Sequence, residues 1–187
     1  MVLKTTCIGA YPKPDYVTLP DWFDDLDTAN PTLGWAEAMK QMGKEAEEIL
    51  ERGTREVVQD QVGAGIDIPT DGEIARENYI HYHCRHLNGI DFVKLTERPV
   101  RNGNYSALLP TVREAVKVRD LFLTADWQRA QQVTDHPVKI TMPGPLTVAD
   151  TLADEYYGDL KRFGQDVATA LNREVLELAR AGCRYIQ

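Results

Sequence analysis

The sequence is short of cysteine, of long apolar runs and of basic residues. Its three cysteines, Cys7, Cys84 and Cys183, are widely spaced and odd in number, which argues against a disulfide framework and for reduced thiols. No apolar run approaches the ~20 residues that span a bilayer, and residues 1–7 lack the pattern of a secretory signal. A formal net charge of -8 argues against nucleic acid, whose phosphates need a basic partner. We therefore expect a cytoplasmic protein with neither a membrane nor a nucleic-acid partner.

The 187 residues are 43% hydrophobic and 27% charged, which is typical of one globular domain. An acidic, irregular loop runs through Trp22, Asp24 and Asp25 to Pro31. Residues 74–103 fit either a strand or a helix, with a turn at Asn88–Gly89. Elsewhere the hydrophobic pattern predicts strands at 3–8, 66–70, 137–142 and 183–187. It predicts helices at 44–64, at 111–120 and at 156–181, and a further helix that begins after Thr124 as its N-cap.

This alternation predicts a parallel sheet with helical crossovers. The loops after the strands are rich in Gly, Pro, Asp and Glu, as are the active-site loops of a (β/α)8 barrel. A complete barrel needs about 250 residues, so the chain reads as the first four β/α units, with a long insertion after the second strand. An open flavodoxin-like sheet is the rival, but Gly9-Ala10-Tyr11-Pro12 is a poor phosphate-binding loop.

The predicted strand ends carry four motifs: Ile8-Gly9-Ala10-Tyr11-Pro12; Thr70-Asp71-Gly72-Glu73 with Arg76 and Asn78; Pro143-Gly144-Pro145-Leu146-Thr147; and Ala-Gly-Cys-Arg-Tyr-Ile-Gln at 181–187. In this order and spacing they resemble the catalytic barrel of the cobalamin-independent methionine synthases over nearly the whole chain. The last motif is similar to the lead-in to that family's Ile-Gln-Ile-Asp-Glu-Pro strand. Because Met1 lies just before the first strand, the resemblance is to the single-barrel members. Residues 1–187 are then expected to form the N-terminal half of one barrel domain.

The resemblance implies a methyltransferase that methylates the zinc-activated thiol of homocysteine, with a methyl-folate or a corrinoid protein as donor. The matching Glu73 would bind the amino group of the substrate, and Ile8, Gly9 and Ala10 would hold it through backbone groups. Asn78 would bind substrate or cap a turn, and Asp71 and Arg76 would orient Glu73. The family's zinc ligands come from later strands, so zinc is expected from outside these residues.

Two departures leave alternatives open. The family's serine in the first turn is Ala10 here, and the threonine of its Thr-Gly-Pro is Pro143, which also lacks a backbone donor. One alternative is a related zinc thiol alkyltransferase or lyase that uses coenzyme M or another thiol. The other rests instead on length: with at most four barrel strands and no complete zinc site, the chain is an incomplete, non-catalytic half-barrel, which needs a second half or self-association to cover its exposed edges.

A cluster of histidines and a cysteine at 81–86 is a second candidate for metal binding. Imidazole and thiolate are zinc ligands, and His81, His83, Cys84 and His86 lie close together. In a strand, however, Cys84 faces away from His81 and His83, and neighbouring residues rarely reach one ion. Aromatic packing on the outside of the barrel is the alternative interpretation.

Overall fold

A computed structural model describes residues 3–19, 31–100 and 105–187, so the acidic loop at 22–25 lies outside the described residues. Pro31, which the sequence placed in that loop, begins a helix instead. The helices are α1 (Pro31–Met42), α2 (Lys44–Gly63), α3 (His81–Cys84), α4 (Leu123–Gln131), α5 (Pro145–Asp150) and α6 (Leu160–Ala181). The strands are β1 (Leu87–Val100), β2 (Tyr105–Val118), β3 (Lys139–Ile140), β4 (Ala153–Asp154) and β5 (Tyr185–Ile186).

The predicted parallel strands form four short segments that lie side by side. Thr6 bridges Ile68, Thr70 bridges Lys139, and β3 pairs with β5, all in parallel. The order in space is therefore the order in sequence, as in the first half of a (β/α)8 barrel. Because the segments are parallel, their carboxyl ends meet at one edge, where the loops carrying the sequence motifs begin.

The long helices follow the predicted hydrophobic periodicity. Helix α2 spans the expected range, and Gly65 follows it with φ 83°. Helix α6 begins four residues later than predicted, because the Asp159 side chain accepts hydrogen bonds from the N–H groups of Lys161 and Arg162. It ends at Gly182, whose φ of 98° is readily adopted only by glycine.

The insertion after the second segment is a long antiparallel hairpin of β1 and β2. The helix predicted at 111–120 is therefore wrong, since most of that stretch belongs to β2 and pairs with β1. The turn predicted at Asn88–Gly89 is wrong as well. These residues lie inside β1 at a shift in register, and Gly89 adopts φ 88° with the backbone oxygens of Glu114 and Ala115 too close for a Cβ atom.

Helix α4 begins at Leu123 and not after a Thr124 cap. The Thr124 hydroxyl is buried and makes no hydrogen bond, so the predicted N-cap is wrong. The carboxylate of Glu174 in α6 accepts hydrogen bonds from the N–H groups of Phe122 and Leu123, at 3.0 and 3.3 Å. A distant helix thus satisfies the first donors of α4, which local sequence does not reveal.

Buried apolar side chains of the described residues form three clusters. One joins the hairpin to α5 and α6 through residues such as Val112 and Phe163. A second packs α4 and α6 against β3 around Ile140. A third lies between α2 and the loop after the second segment, around Val57. Among the described residues, no helix is both long and apolar enough to cross a membrane.

Candidate functional site

The ends of the first three parallel segments converge on one carboxylate. The Tyr11 N–H donates to the Gly72 carbonyl at 3.1 Å, and the Thr70 hydroxyl donates to the Gly9 carbonyl at 2.7 Å. These bonds fix the first turn against the second. Glu73 follows Gly72 directly, so its side chain lies between the two turns and the end of β3.

Glu73 is held in an unusual conformation by two neighbours. Its φ of 57° is left-handed, which costs a non-glycine residue roughly 1–3 kcal/mol and persists only where the surroundings enforce it. The Thr141 hydroxyl, just after β3, donates to Glu73 Oε1 at 2.6 Å. A guanidinium nitrogen of Arg76 lies 3.4 Å from the same oxygen. The side chain of Glu73 is 11% exposed, so the carboxylate is largely enclosed but reachable.

Gly9 provides the space that this carboxylate occupies. A Cβ atom at Gly9 would lie 2.5 Å from Glu73 Oε1 and 3.1 Å from the Thr141 methyl group. Any larger residue at this position would push Glu73 away. The flanking side chains of Ile8 and Ala10 are exposed. Their predicted role, backbone contact with a substrate, stays a prediction.

Asp71 and Arg76 form a buried charged pair behind Glu73. Their nearest side-chain atoms are 3.6 Å apart. Burial raises the pKa of Asp71 to about 6, against the lowering effect of Arg76. Burial lowers the pKa of Arg76, but Asp71, Glu73 and Asp126 outweigh it and raise that pKa above its usual value. Arg76 therefore stays charged and is held by acids on more than one side. The supporting role predicted for the pair stays a prediction.

Asn78 has a local structural contact. Its side-chain oxygen accepts hydrogen bonds from the N–H groups of Ile80 and His81, both at 2.8 Å, at the start of α3. This is the turn-capping role that the sequence offered as one of two readings. Substrate binding by Asn78 stays a prediction.

Lys139 is a residue of this region that the sequence analysis missed. It is buried in β3, and its ammonium group donates to the Cys7 carbonyl at 2.6 Å and to Gln187 Oε1 at 2.7 Å. The Ile8 carbonyl is a longer acceptor at 3.4 Å. The signal was a lysine inside the apolar strand 137–142, since a buried ammonium needs several acceptors. Lys139 ties the first turn to the fourth segment.

The candidate metal cluster at 81–86 does not form within the part of the chain that the structure describes. His81 packs against Phe92, and His83 packs against Phe122. Burial lowers the pKa of His81 to about 4 and raises that of the Cys84 thiol. No three His, Cys, Asp or Glu side chains among residues 3–19, 31–100 and 105–187 are placed to hold a metal ion. The described residues therefore do not fit a zinc centre.

Comparison with known proteins places these observations in a family. The profile described as "Cobalamin-independent synthase, Catalytic domain" matches residues 3–187. The methionine synthase of Saccharolobus solfataricus is 31% identical over 189 aligned positions, which cover 100% of this chain and 52% of that protein. The methionine synthase of Sulfolobus acidocaldarius is 28% identical, with 100% and 51% covered.

Two solved structures share the fold. A B12-independent methionine synthase from Shewanella sp. W3-18-1, in complex with selenomethionine, superposes with a TM-score of 0.83 at 33% identity, covering 100% of this chain and 51% of that one. A protein from Listeria monocytogenes, described as a putative vitamin-B12 independent methionine synthase, gives a TM-score of 0.63 at 21% identity, covering 97% and 52%.

The chain spans about half the length of the curated relatives it matches. The structural matches favour the half-barrel over the open flavodoxin-like sheet, because the superposition covers every parallel segment in order. The family match extends over the predicted strand-end motifs from residue 3 to residue 187. The chain thus belongs to the family of the cobalamin-independent synthase catalytic domain.

Proposed function

We propose that this chain supplies the amino-acid-binding half of an active site that transfers a methyl group to the thiol of homocysteine. One observation carries the proposal: the carboxylate of Glu73, fixed by Thr141 and Arg76 at the edge where the parallel segments end. A carboxylate in a largely enclosed site is a strong partner for an α-ammonium group. Residues 1–187 would form the N-terminal half of one barrel domain.

The chemistry that such binding serves is a displacement at carbon. The thiol first gives up its proton, the electron pair of the thiolate sulfur then forms the bond to the methyl carbon, and the carrier departs with the electron pair of the bond that breaks. Only the thiolate is nucleophilic enough for this reaction. By holding the ammonium group, Glu73 would fix where the sulfur lies, and orientation of this kind is a large part of catalysis.

Homocysteine fits this site better than coenzyme M does. Homocysteine carries an ammonium group, whereas coenzyme M carries a sulfonate, which the Glu73 carboxylate would repel. Arg76 does not reverse this preference, because it is buried behind Glu73 and faces Asp71 as well.

The methyl donor and the metal lie beyond what these residues offer. A methyl-folate and a methyl-corrinoid protein both remain candidates for the donor. The described residues do not provide a zinc ligand set, so we propose that zinc, as in the family resemblance, is bound by residues other than these. A second half-barrel would complete the site, whereas self-association of this chain would only cover the exposed edges of the half-barrel.

The proposal is tested by methyl transfer with the full chain as its gene encodes it. Methyl-tetrahydrofolate and methylcobalamin are offered in turn, with homocysteine or coenzyme M as acceptor, and the methylated thiol is measured by mass spectrometry. Replacement of Glu73 by Gln removes a charged hydrogen bond of about 2 kcal/mol, so kcat/KM for homocysteine should fall roughly 30-fold.

The matched control is Glu48→Gln, on the exposed face of α2. If Glu73→Gln behaves like this control with homocysteine, the proposed role of Glu73 is wrong. Methylation of coenzyme M that improves in Glu73→Gln would favour the alternative acceptor. A full chain that methylates neither thiol would favour the non-catalytic half-barrel.

Elemental analysis for zinc provides a separate test. We expect zinc on a longer product of the gene or on a complex with a second half, and none bound stoichiometrically to the 187-residue chain. Stoichiometric zinc on the short chain, lost on mutation of His83 or Cys84, would instead make the cluster at 81–86 a metal site.

A further inference from the structure

Thr141 lies where the contacts to Glu73 meet, and no sequence motif singles it out. It is 2% exposed and follows β3 directly. Its hydroxyl accepts a hydrogen bond from Arg76 Nη1 at 3.0 Å and lies 2.6 Å from Glu73 Oε1. The three side chains form a short chain of hydrogen bonds across the ends of two parallel segments.

The chemistry of the three groups fixes which atom donates and which accepts in each of these hydrogen bonds. A guanidinium group has only donors, so the Thr141 oxygen must accept from Arg76. The single hydroxyl hydrogen is then free to point only at Glu73 Oε1, which must accept it. The ion pair with Arg76 also ends on Oε1. Among the described residues both contacts therefore fall on Oε1, and neither of them engages Oε2.

The other side of Thr141 completes the enclosure. Its methyl group lies 3.1 Å from where a Cβ atom of Gly9 would stand, so it packs against the first turn. Thr141 thus contacts Glu73 through its hydroxyl and supports Gly9 through its methyl group. Valine would preserve the packing and remove the hydrogen bond, whereas serine would do the reverse.

We propose that Thr141 is a positioning residue that turns the Glu73 carboxylate toward the α-ammonium group of the acceptor and so makes the site selective for amino-acid thiols. The inference rests on the proposed function, because it assumes that Glu73 meets an ammonium group. Thr141 itself does not contact the ligand. Loss of its hydroxyl should therefore lower the affinity for ligands that carry the ammonium group and leave the affinity for ligands that lack it unchanged.

The test compares two ligands that differ only in that group. L-Methionine and 4-(methylsulfanyl)butanoate are titrated by calorimetry into the full chain as its gene encodes it. Thr141→Val removes the hydroxyl that accepts from Arg76 and donates to Glu73, and we expect this variant to bind L-methionine roughly tenfold more weakly. Binding of the butanoate should stay unchanged, and Thr141→Ser should bind both ligands like the wild-type protein.

The control is Thr111→Val, which removes another buried threonine hydroxyl, in β2 and away from the parallel segments. It should change neither affinity. If Thr141→Val does not fold, Thr141→Cys replaces it, because a thiol is a weak donor and should reduce the preference for L-methionine in the same direction.

The outcomes separate the inference from the proposed function. The positioning role is overturned if Thr141→Val lowers the affinity for both ligands equally, or if it does not lower the affinity for L-methionine. In either case the wild-type preference for L-methionine still stands. If the wild-type protein shows no preference for L-methionine over the butanoate, the ammonium site itself is wrong, and the inference is overturned with the proposed function. Selective weakening in Thr141→Val together with retention in Thr141→Ser supports the positioning role.

Discussion

Replacing Asp71 by Asn should remove a pH dependence of stability that the buried carboxyl imposes on the fold. Asp71 is 4% exposed, and burial raises its pKa from 3.8 to about 6. Between these two pH values the folded protein keeps a proton that the unfolded chain releases. The contribution of Asp71 to stability is therefore fully present below about pH 4 and is lost as the pH rises through about 6.

The size of the effect follows from the pKa change. One pKa unit corresponds to about 1.4 kcal/mol, so the free energy of unfolding of the wild-type protein, relative to that of Asp71→Asn, should fall by about 3 kcal/mol over this range. Asparagine has nearly the same shape but does not titrate, so subtraction cancels other titrating groups. The measurement is urea unfolding of both proteins at pH 3.5, 5 and 7.

Asp91→Asn is the matched control, because the carboxyl of Asp91 should change the free energy of unfolding with pH in the opposite direction. Hydrogen bonds from the N–H groups of Lys94 and Val93 lower the pKa of Asp91, so its stabilising contribution is lost as the pH falls. The free energy of unfolding of the wild-type protein, relative to that of Asp91→Asn, should therefore increase with pH. A flat or rising difference for Asp71→Asn would refute the reasoning about its buried carboxyl.

Two further substitutions test the first turn. Gly9→Ala should weaken L-methionine binding about tenfold or more, because its Cβ atom would displace the Glu73 carboxylate. The control Gly63→Ala has open space around its Cβ position at the end of α2, so it should not affect binding and should stabilise the protein by at most about 0.5 kcal/mol. Lys139→Met should lower the free energy of unfolding by about 1–3 kcal/mol, because it leaves the partly buried carbonyl oxygen of Cys7 and the side-chain oxygen of Gln187 without their donor. The exposed Lys161→Met should change the free energy of unfolding little.

Calorimetry checks the glycine pair, and urea unfolding checks the lysine pair. Unchanged L-methionine binding in Gly9→Ala would mean that Glu73 adjusts to the added methyl group without cost. Equal stabilities of the Lys139 and Lys161 variants would mean that water or a moved side chain satisfies the Cys7 carbonyl.

The sequence predicted those parts of the fold that depend on local patterns. Helices α2 and α6 were located because their apolar residues recur every three to four positions, and Gly182 marked an end that the structure confirms. The parallel segments were found from short apolar runs followed by Gly and Pro. Pairing of distant residues was missed, which is why the stretch 111–120 was assigned to a helix although its partner is β1.

The site residues that were predicted also belong to local motifs, and those that were missed depend on distant partners. Glu73 and Gly9 were identified because their motifs lie at strand ends and resemble a family. Thr141 and Lys139 were not, because their importance comes from partners 68 and 132 positions away in the chain. The sequence also suggested a metal cluster at 81–86, but burial and aromatic packing there outweigh the attraction of closely spaced ligand types.

The enclosure of Glu73 also bears on how the protein loses function under stress. Its neighbours come from three segments far apart in sequence: Gly9 from the first, Arg76 after the second and Thr141 after β3. Local opening of any one segment releases the left-handed backbone of Glu73 while most helices stay intact. The L-methionine binding that we propose for this site should then disappear at milder denaturation than helical circular dichroism, and the amide protons of the first turn should exchange before those of α6.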